Sequence, residues 1–315
     1  MRKHKGTACH LIDGGLTPFL MLASDFYDAR STTIGKNSFM TDRGIYGAVQ
    51  FAGDALDVSS SHMNLRLGFD VKSLDNGCAL AISNLAEDDM LPEALHLFRG
   101  DGEIVHRSDL LNDDDVLIAH AAQHSLPSWT GSATFIEAEN RNARNSSNVI
   151  ELAPFLNTHN KWASMSLEDH LDDIIKDGGQ QRSKSMQHIG IEYARPINPK
   201  VVPHFLVHLA RIKLPFTRIV IQRSIAQLHS GAIDDLNAFD QMMFVHAGKS
   251  LLVLDIPTIH SCWAVSYKRY KTKIESLEFY AEDGACVGVI FSDCEGQPCQ
   301  TKHWNDLVYS LPTKD

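Results

Sequence analysis

LHLFRGDGEIV, running from Leu95 to Val105, and LEFYAEDGACV, running from Leu277 to Val287, are the two segments on which the fold reading rests. Each joins an apolar strand to a second strand through an Asp-Gly step, which is a hairpin signal. Upstream of them, GCALAIS from Gly77 resembles SCWAVS from Ser261. Downstream, Asp113 to Ala122 and Lys302 to Leu311 each read as a closing helix with a polar or acidic start. Two matched pairs in the same order, each followed by the same closing element, indicate an internal repeat. Hairpin-length connections exclude a parallel sheet. The expected fold class is therefore α+β: a tandem duplicated unit in which each half is a large antiparallel β-sheet with helices packed on it. The boundaries read as a first repeat over 1–124, a linker over 125–158 and a second repeat over 159–315.

Working outward, strand-like stretches fall at Ile45 to Phe51, Asn64 to Val71, Cys78 to Ile82, Leu95 to Phe98 and Glu103 to Arg107. The second half repeats the pattern at Arg218 to Ile221, Ile225 to Leu228, Met242 to Val245, Leu251 to Leu254, Cys262 to Tyr267, Ser276 to Tyr280 and Cys286 to Phe291. Pro18 to Leu22 reads as a short helix. Pro196 to Ile212 reads as a longer one, with Val202, Phe205, Leu206 and Leu209 on one face. The run from Ser125 to Thr158 has little periodicity and the polar stretch Asn140 to Asn148, which gives it the character of a linker.

Composition narrows the function. Across 315 residues, 29 basic against 39 acidic side chains give a net charge of −10, with no dense Lys/Arg cluster to track a phosphate backbone, so nucleic acid is not the expected partner. The opening residues imitate a signal peptide, but Asp13, Gly14 and Gly15 interrupt the apolar part, and they read as mature sequence. No run is long enough to span a bilayer, so the expectation is a soluble chain without membrane insertion. Cys9, Cys78, Cys262, Cys286, Cys294 and Cys299 show no disulfide framework and read as thiols of a cytoplasmic protein.

The stretch KWASMSLEDHLDDIIKDGGQQR, Lys161 to Arg182, carries the chemistry. Ser166 suits a helix cap, Leu171, Ile174 and Ile175 form an apolar face, and Gly178 and Gly179 end the helix, leaving Arg182 just beyond. A potential metal ligand near the helix start and a fixed cation past its end suit an anionic flat cofactor. The alternative is a solvated acidic face made by Asp169, His170, Asp172 and Asp173. His204 and His208 are spaced for one helix face but lack a third ligand, and Cys286, Cys294, Cys299 and His303 are too loosely spaced for a zinc knuckle. G-x-S-x-G, H-E-x-x-H and the nucleotide-binding glycine motifs are absent.

ESLEFYAEDGACVGVIF, with CWAV before it and HWNDLVYSLP after it, resembles the second half of the HemS/ChuS/HmuS family of bacterial cytoplasmic haem-utilisation (haemin-degrading) proteins. RIVIQRSIAQLHSG and Trp162-x-x-Met165 extend the resemblance, and HMNLRLGF with LHLFRGDGEI carry it into the first half. It implies a tandem fold with haem in a cleft between the halves, and a role in haem trafficking or in oxygenase-like ring breakdown. It also implies haem arriving from an inner-membrane transporter.

Carried over residue by residue, the family's distal arginine, the catalytic one that faces the iron ligand across the haem, falls on Arg66 and a pocket arginine on Arg182. The axial iron ligand falls on His170 with a one-residue shift and on Asp169 without it. A pocket lysine falls on Tyr267, with Lys268 beside it. A pocket tyrosine falls on Phe291 and a further arginine on Cys294, so part of the polar pocket is changed. The implied roles are chemically suited, since imidazole ligates haem iron and guanidinium pairs with a propionate.

Overall fold

The computed structural model describes residues 8–11, 28–50, 55–60, 65–70, 78–84, 94–99, 104–110, 162, 165, 167–222, 225–269, 272–292 and 298–314. The short helix read at Pro18 to Leu22, the closing helix at Asp113 to Ala122 and the linker lie outside these residues. First-half strands are β1 (Ala8–Leu11), β2 (Asp28–Gly35), β3 (Ser38–Gln50), β4 (Ala55–Ser60), β5 (Leu65–Asp70), β6 (Cys78–Asn84), β7 (Ala94–Arg99) and β8 (Ile104–Leu110). Helices α1 (Leu167–Asp177) and α2 (Gln180–Ser185) follow, then β9 (Ala194–Ile197) and α3 (Val202–Ile212). The second half continues with β10 (Phe216–Gln222), β11 (Ile225–Gly231), β12 (Asp235–Phe239), β13 (Met242–Ala247) and β14 (Ser250–Asp255). It ends with β15 (Ser261–Arg269), β16 (Thr272–Tyr280), β17 (Cys286–Ser292) and α4 (Pro298–Tyr309).

Among the described residues the strand pairings are antiparallel and form two sheets that share the long β3. One runs β1-β6-β7-β8-β2-β3-β14-β13-β12. The other runs β9-β15-β16-β17-β10-β11-β5-β4-β3. The two orders are the same list with first-half and second-half strands interchanged, which is the duplication expected from the hairpin sequences. Ser108 opposite Ser31 corresponds to Ile290 opposite Arg218, and that equivalence continues the register in which Leu95 matches Leu277. Upstream, β7 places Ala79 opposite Phe98 and β16 places Ser261 opposite Tyr280, so the equivalent of Ser261 is Ala79 rather than Gly77. A slip of two keeps every side chain on the same face, which is why the sequence match tolerates it.

Each half also lends strands to the other's sheet. β14 pairs with β3 in one sheet as β5 pairs with β11 in the other. The equivalent positions Asp42 and His229 meet, the imidazole Nδ1 hydrogen-bonded to the carboxylate, and both are buried. Gln227 Nε2 donates to the Ser31 carbonyl at 3.2 Å and Ser38 Oγ to the Val287 carbonyl at 2.6 Å, so a polar seam runs between the packed sheets. Burial and the neighbouring Arg218 hold His229 below the usual imidazole range against the pull of Asp42. Gly35 is required where the sheets touch, because a Cβ there would lie 2.7 Å from Val220 Cγ1 and 2.9 Å from the Ile221 carbonyl.

The second sheet is covered on both faces. Even-numbered β10 positions Phe216 and Val220 join Phe205, Leu206, Leu209, Trp304 and Val308 from α3 and α4 in one core. Odd-numbered Ile219 and Ile221 join Trp162, Met165, Ile174 and Ile175 in a second core under α1. The helix expected from Pro196 begins later. Pro196 lies on β9 opposite Trp263, at a strand edge where its missing N–H is tolerated, and the chain enters α3 only after a turn capped by Asn198. No helix of the described residues is long and apolar enough to cross a membrane.

Candidate functional site

The apolar face of α1 was legible from its spacing, and Ile174 and Ile175 are buried as that spacing requires. α1 packs against β5, β10 and β15, which brings it beside the strand that carries Arg66. Gly178 and Gly179 end α1 at φ of 70° and 87°, and the chain turns at once into α2. The Gly178 carbonyl accepts from the Cys286 N–H at 2.7 Å, pinning this turn to β17, and a Cβ on Gly179 would meet Cys286 Cβ at 2.9 Å. Arg182 therefore sits within α2, buried and directed back to the sheet, rather than in a loop beyond the helix.

Around Arg182 the structure assembles a polar cluster inside an otherwise apolar core. Its Nε donates to Glu278 Oε2 at 2.8 Å and its Nη2 to Glu278 Oε1 at 2.6 Å, the bidentate geometry that suits guanidinium and carboxylate. Nη1 reaches His170 Nδ1 at 2.8 Å, and the guanidinium carbon lies 4.3 Å from the centre of the Trp162 ring. Tyr280 donates its hydroxyl to Glu278 Oε2 at 2.5 Å. The His170 ring stands edge-on to Trp162 with centroids 4.9 Å apart and tilted against Tyr267 at 5.4 Å. Burial acts against the charge on Arg182, but Glu278 outweighs it and holds the guanidinium above its ordinary range. Tyr280 is raised well above its usual value, by burial first and by the Glu278 charge second.

The cluster defines the His170 tautomer. A guanidinium has no acceptor, so Nδ1 must accept from Arg182, and the proton of the neutral ring resides on Nε2. His170 is buried, not the half-exposed residue that an acidic helix face would have given, whereas Asp169 is exposed. Of the positions matched to a haem pocket, the structure brings His170 and Arg182 into contact. It places Arg66 on β5 opposite Leu228, whose side chain packs into the core under α1. It places Lys268 on β15 opposite Lys273. His204 and His208 are exposed on α3, and among the described residues no group of three metal-ligating side chains forms; Cys294 lies outside them.

Glu278 and Tyr280 were not singled out from the sequence. The signal was present, since an acid within the apolar run LEFY, flanked by core positions, demands a buried cation. Its partner is 96 residues away and is identified only when α2 folds onto β16.

Comparison with known proteins fits this geometry. Residues 179–311, which include Arg182, Glu278, Tyr280 and Phe291, match the family model of the haemin-degrading HemS.ChuX domain. The second half of the chain is thus similar to the HemS/ChuX domain over 179–311. Hemin transport protein HemS of Yersinia enterocolitica is 22% identical over 156 residues, so the match spans 49% of this chain and under half (45%) of that relative. The solved structure of holo-PhuS, a heme-binding protein from Pseudomonas aeruginosa, has a TM-score of 0.74 at 16% identity, covering 98% of this chain and 88% of PhuS. The heme degrading enzyme ChuS of Escherichia coli O157:H7 has a TM-score of 0.74 at 11% identity, covering 96% of this chain and 87% of ChuS. These likenesses show the fold over nearly the full length.

Tested against haem, the HemS/ChuX-type half offers a mixed donor set. It has a buried imidazole, aromatic walls from Trp162 and Tyr267, and a guanidinium. As arranged, however, it does not fit an axially ligated iron, because an axial imidazole offers an unprotonated nitrogen and the one in His170 is taken by Arg182.

Proposed function

We propose that this chain is a haem-binding protein of haem and iron utilisation that receives haem in the cytoplasm, in the manner of a client of an inner-membrane transporter, and passes it on intact. The observation that carries this reading is the HemS/ChuX family match over 179–311, on a fold shared along nearly the whole chain with a heme-binding protein. The residues assigned to haem are His170 for the iron, with Asp169 as the alternative, and Arg66 and Lys268 for the remainder of the pocket; Arg182, which the resemblance also assigns to the pocket, is bonded to Glu278 and His170 instead. Trafficking is preferred to ring breakdown because the acceptor nitrogen of His170 is taken by Arg182. In addition, the positions where the family resemblance implies a lysine and a tyrosine hold Tyr267 and Phe291.

A transfer assay distinguishes the two activities. The haem-loaded protein mixed with apomyoglobin is expected to yield the absorption spectrum of holomyoglobin, with haem recovered intact. Bleaching of the loaded protein by ascorbate, with release of a linear tetrapyrrole, is the result that would replace trafficking by degradation.

A further inference from the structure

The contact between Arg182 and His170 involves the residue that the resemblance assigns to the iron with a one-residue shift, and it works against ligation. The guanidinium is held at each of its three nitrogens and on one face: Nε and Nη2 by Glu278, Nη1 by His170, and the face by Trp162. Side-chain exposure of 2% for Arg182 and 1% for Glu278 leaves no water to compete for these bonds. Resting on the reading of haem as ligand, we infer that Arg182 is a latch that fixes His170 with its proton on Nε2, so that an iron gains the imidazole only after this contact breaks.

The geometry says which bond yields. Glu278 anchors Arg182 through two charge-assisted bonds and is itself held by Tyr280, while His170 offers Arg182 a single neutral acceptor. Rotation of His170 away from Nη1 leaves the Arg182–Glu278 pair intact, whereas removal of Arg182 would strand Glu278 in the core. The latch is therefore the His170 bond, and the pair with Glu278 is its fixed frame. A hydrogen bond to a charged group of this kind lowers the fraction of ligation-competent protein, and hence the apparent affinity, by about 10- to 100-fold. If Arg182 instead paired with a propionate, as the resemblance implies for a pocket arginine, its removal would weaken binding. The two roles predict opposite signs.

The test compares the full-length wild type with Arg182→Met/Glu278→Gln, which removes both buried charges together and so avoids stranding either. In the haem-free proteins labelled with ¹⁵N-histidine, long-range ¹H–¹⁵N correlation reads the His170 tautomer, its signal assigned by loss in His170→Gln. The wild type is expected to show the Nε2-protonated form alone and the double variant a mixture of tautomers. Titration with haem is then expected to give at least about tenfold tighter binding in the double variant. A wild-type His170 protonated on Nδ1, or weaker haem binding in the double variant, overturns the latch. Absence of saturable haem binding in both proteins, with the Nε2 tautomer present, overturns the haem reading and the latch with it, while leaving the contact itself established.

Discussion

Replacing Glu278 by alanine is expected to lower stability by about 3–5 kcal/mol, because it leaves the Arg182 guanidinium buried without its counter-charge. The loss includes the acceptor for the Tyr280 hydroxyl as well as for Nε and Nη2 of Arg182, so three buried donors are orphaned by one substitution. Urea denaturation of the full chain measures it as a reduced midpoint with an unchanged slope. The companion change is informative: Arg182→Met combined with Glu278→Met removes both charges and is expected to recover most of the loss, since a buried ion pair contributes little net over a packed apolar pair. A single-variant loss below about 1 kcal/mol would show that the pair is solvated and not the buried frame described above.

Trp304→Ala is expected to cost a similar amount, about 3–5 kcal/mol, by a different mechanism. Trp304 is fully buried, stacked on Phe216 at 5.8 Å and edge-on to Phe205 at 5.6 Å. It ties α4, α3 and β10 into one core. Its Nε1 also donates to the Glu275 carbonyl at 2.7 Å, so alanine creates both a cavity and an unsatisfied acceptor. Trp304→Phe should lose less, keeping the ring and forfeiting the bond. Hydrogen exchange should show α4 losing protection first, and a uniform loss across both sheets would contradict the local account.

The sequence exposed the parts of this fold whose signal is local. The Asp-Gly hairpins are self-contained, and their match across the two halves revealed the repeat. Short edge strands were missed. β12, Asp235–Phe239, is largely exposed at a sheet edge, with only Leu236 partly buried against the core, and β9 contains Pro196, which reads as a helix start. The exchange of β5 and β14 between sheets has no local signature, since each pairs with a strand more than a hundred residues distant. In the polar cluster, His170 and Arg182 were singled out from the sequence but their contact was not. That depends on the glycine pair turning α2 back onto β16, and on Glu278, whose meaning appears only once Arg182 is above it.

The central claim, that this is a haem-binding chain, is tested most directly by absorption titration of the purified full-length protein with haem. The account predicts a saturable change in the Soret band at micromolar haem, with one haem per chain. Spectra that remain the sum of free haem and protein throughout the titration would contradict it.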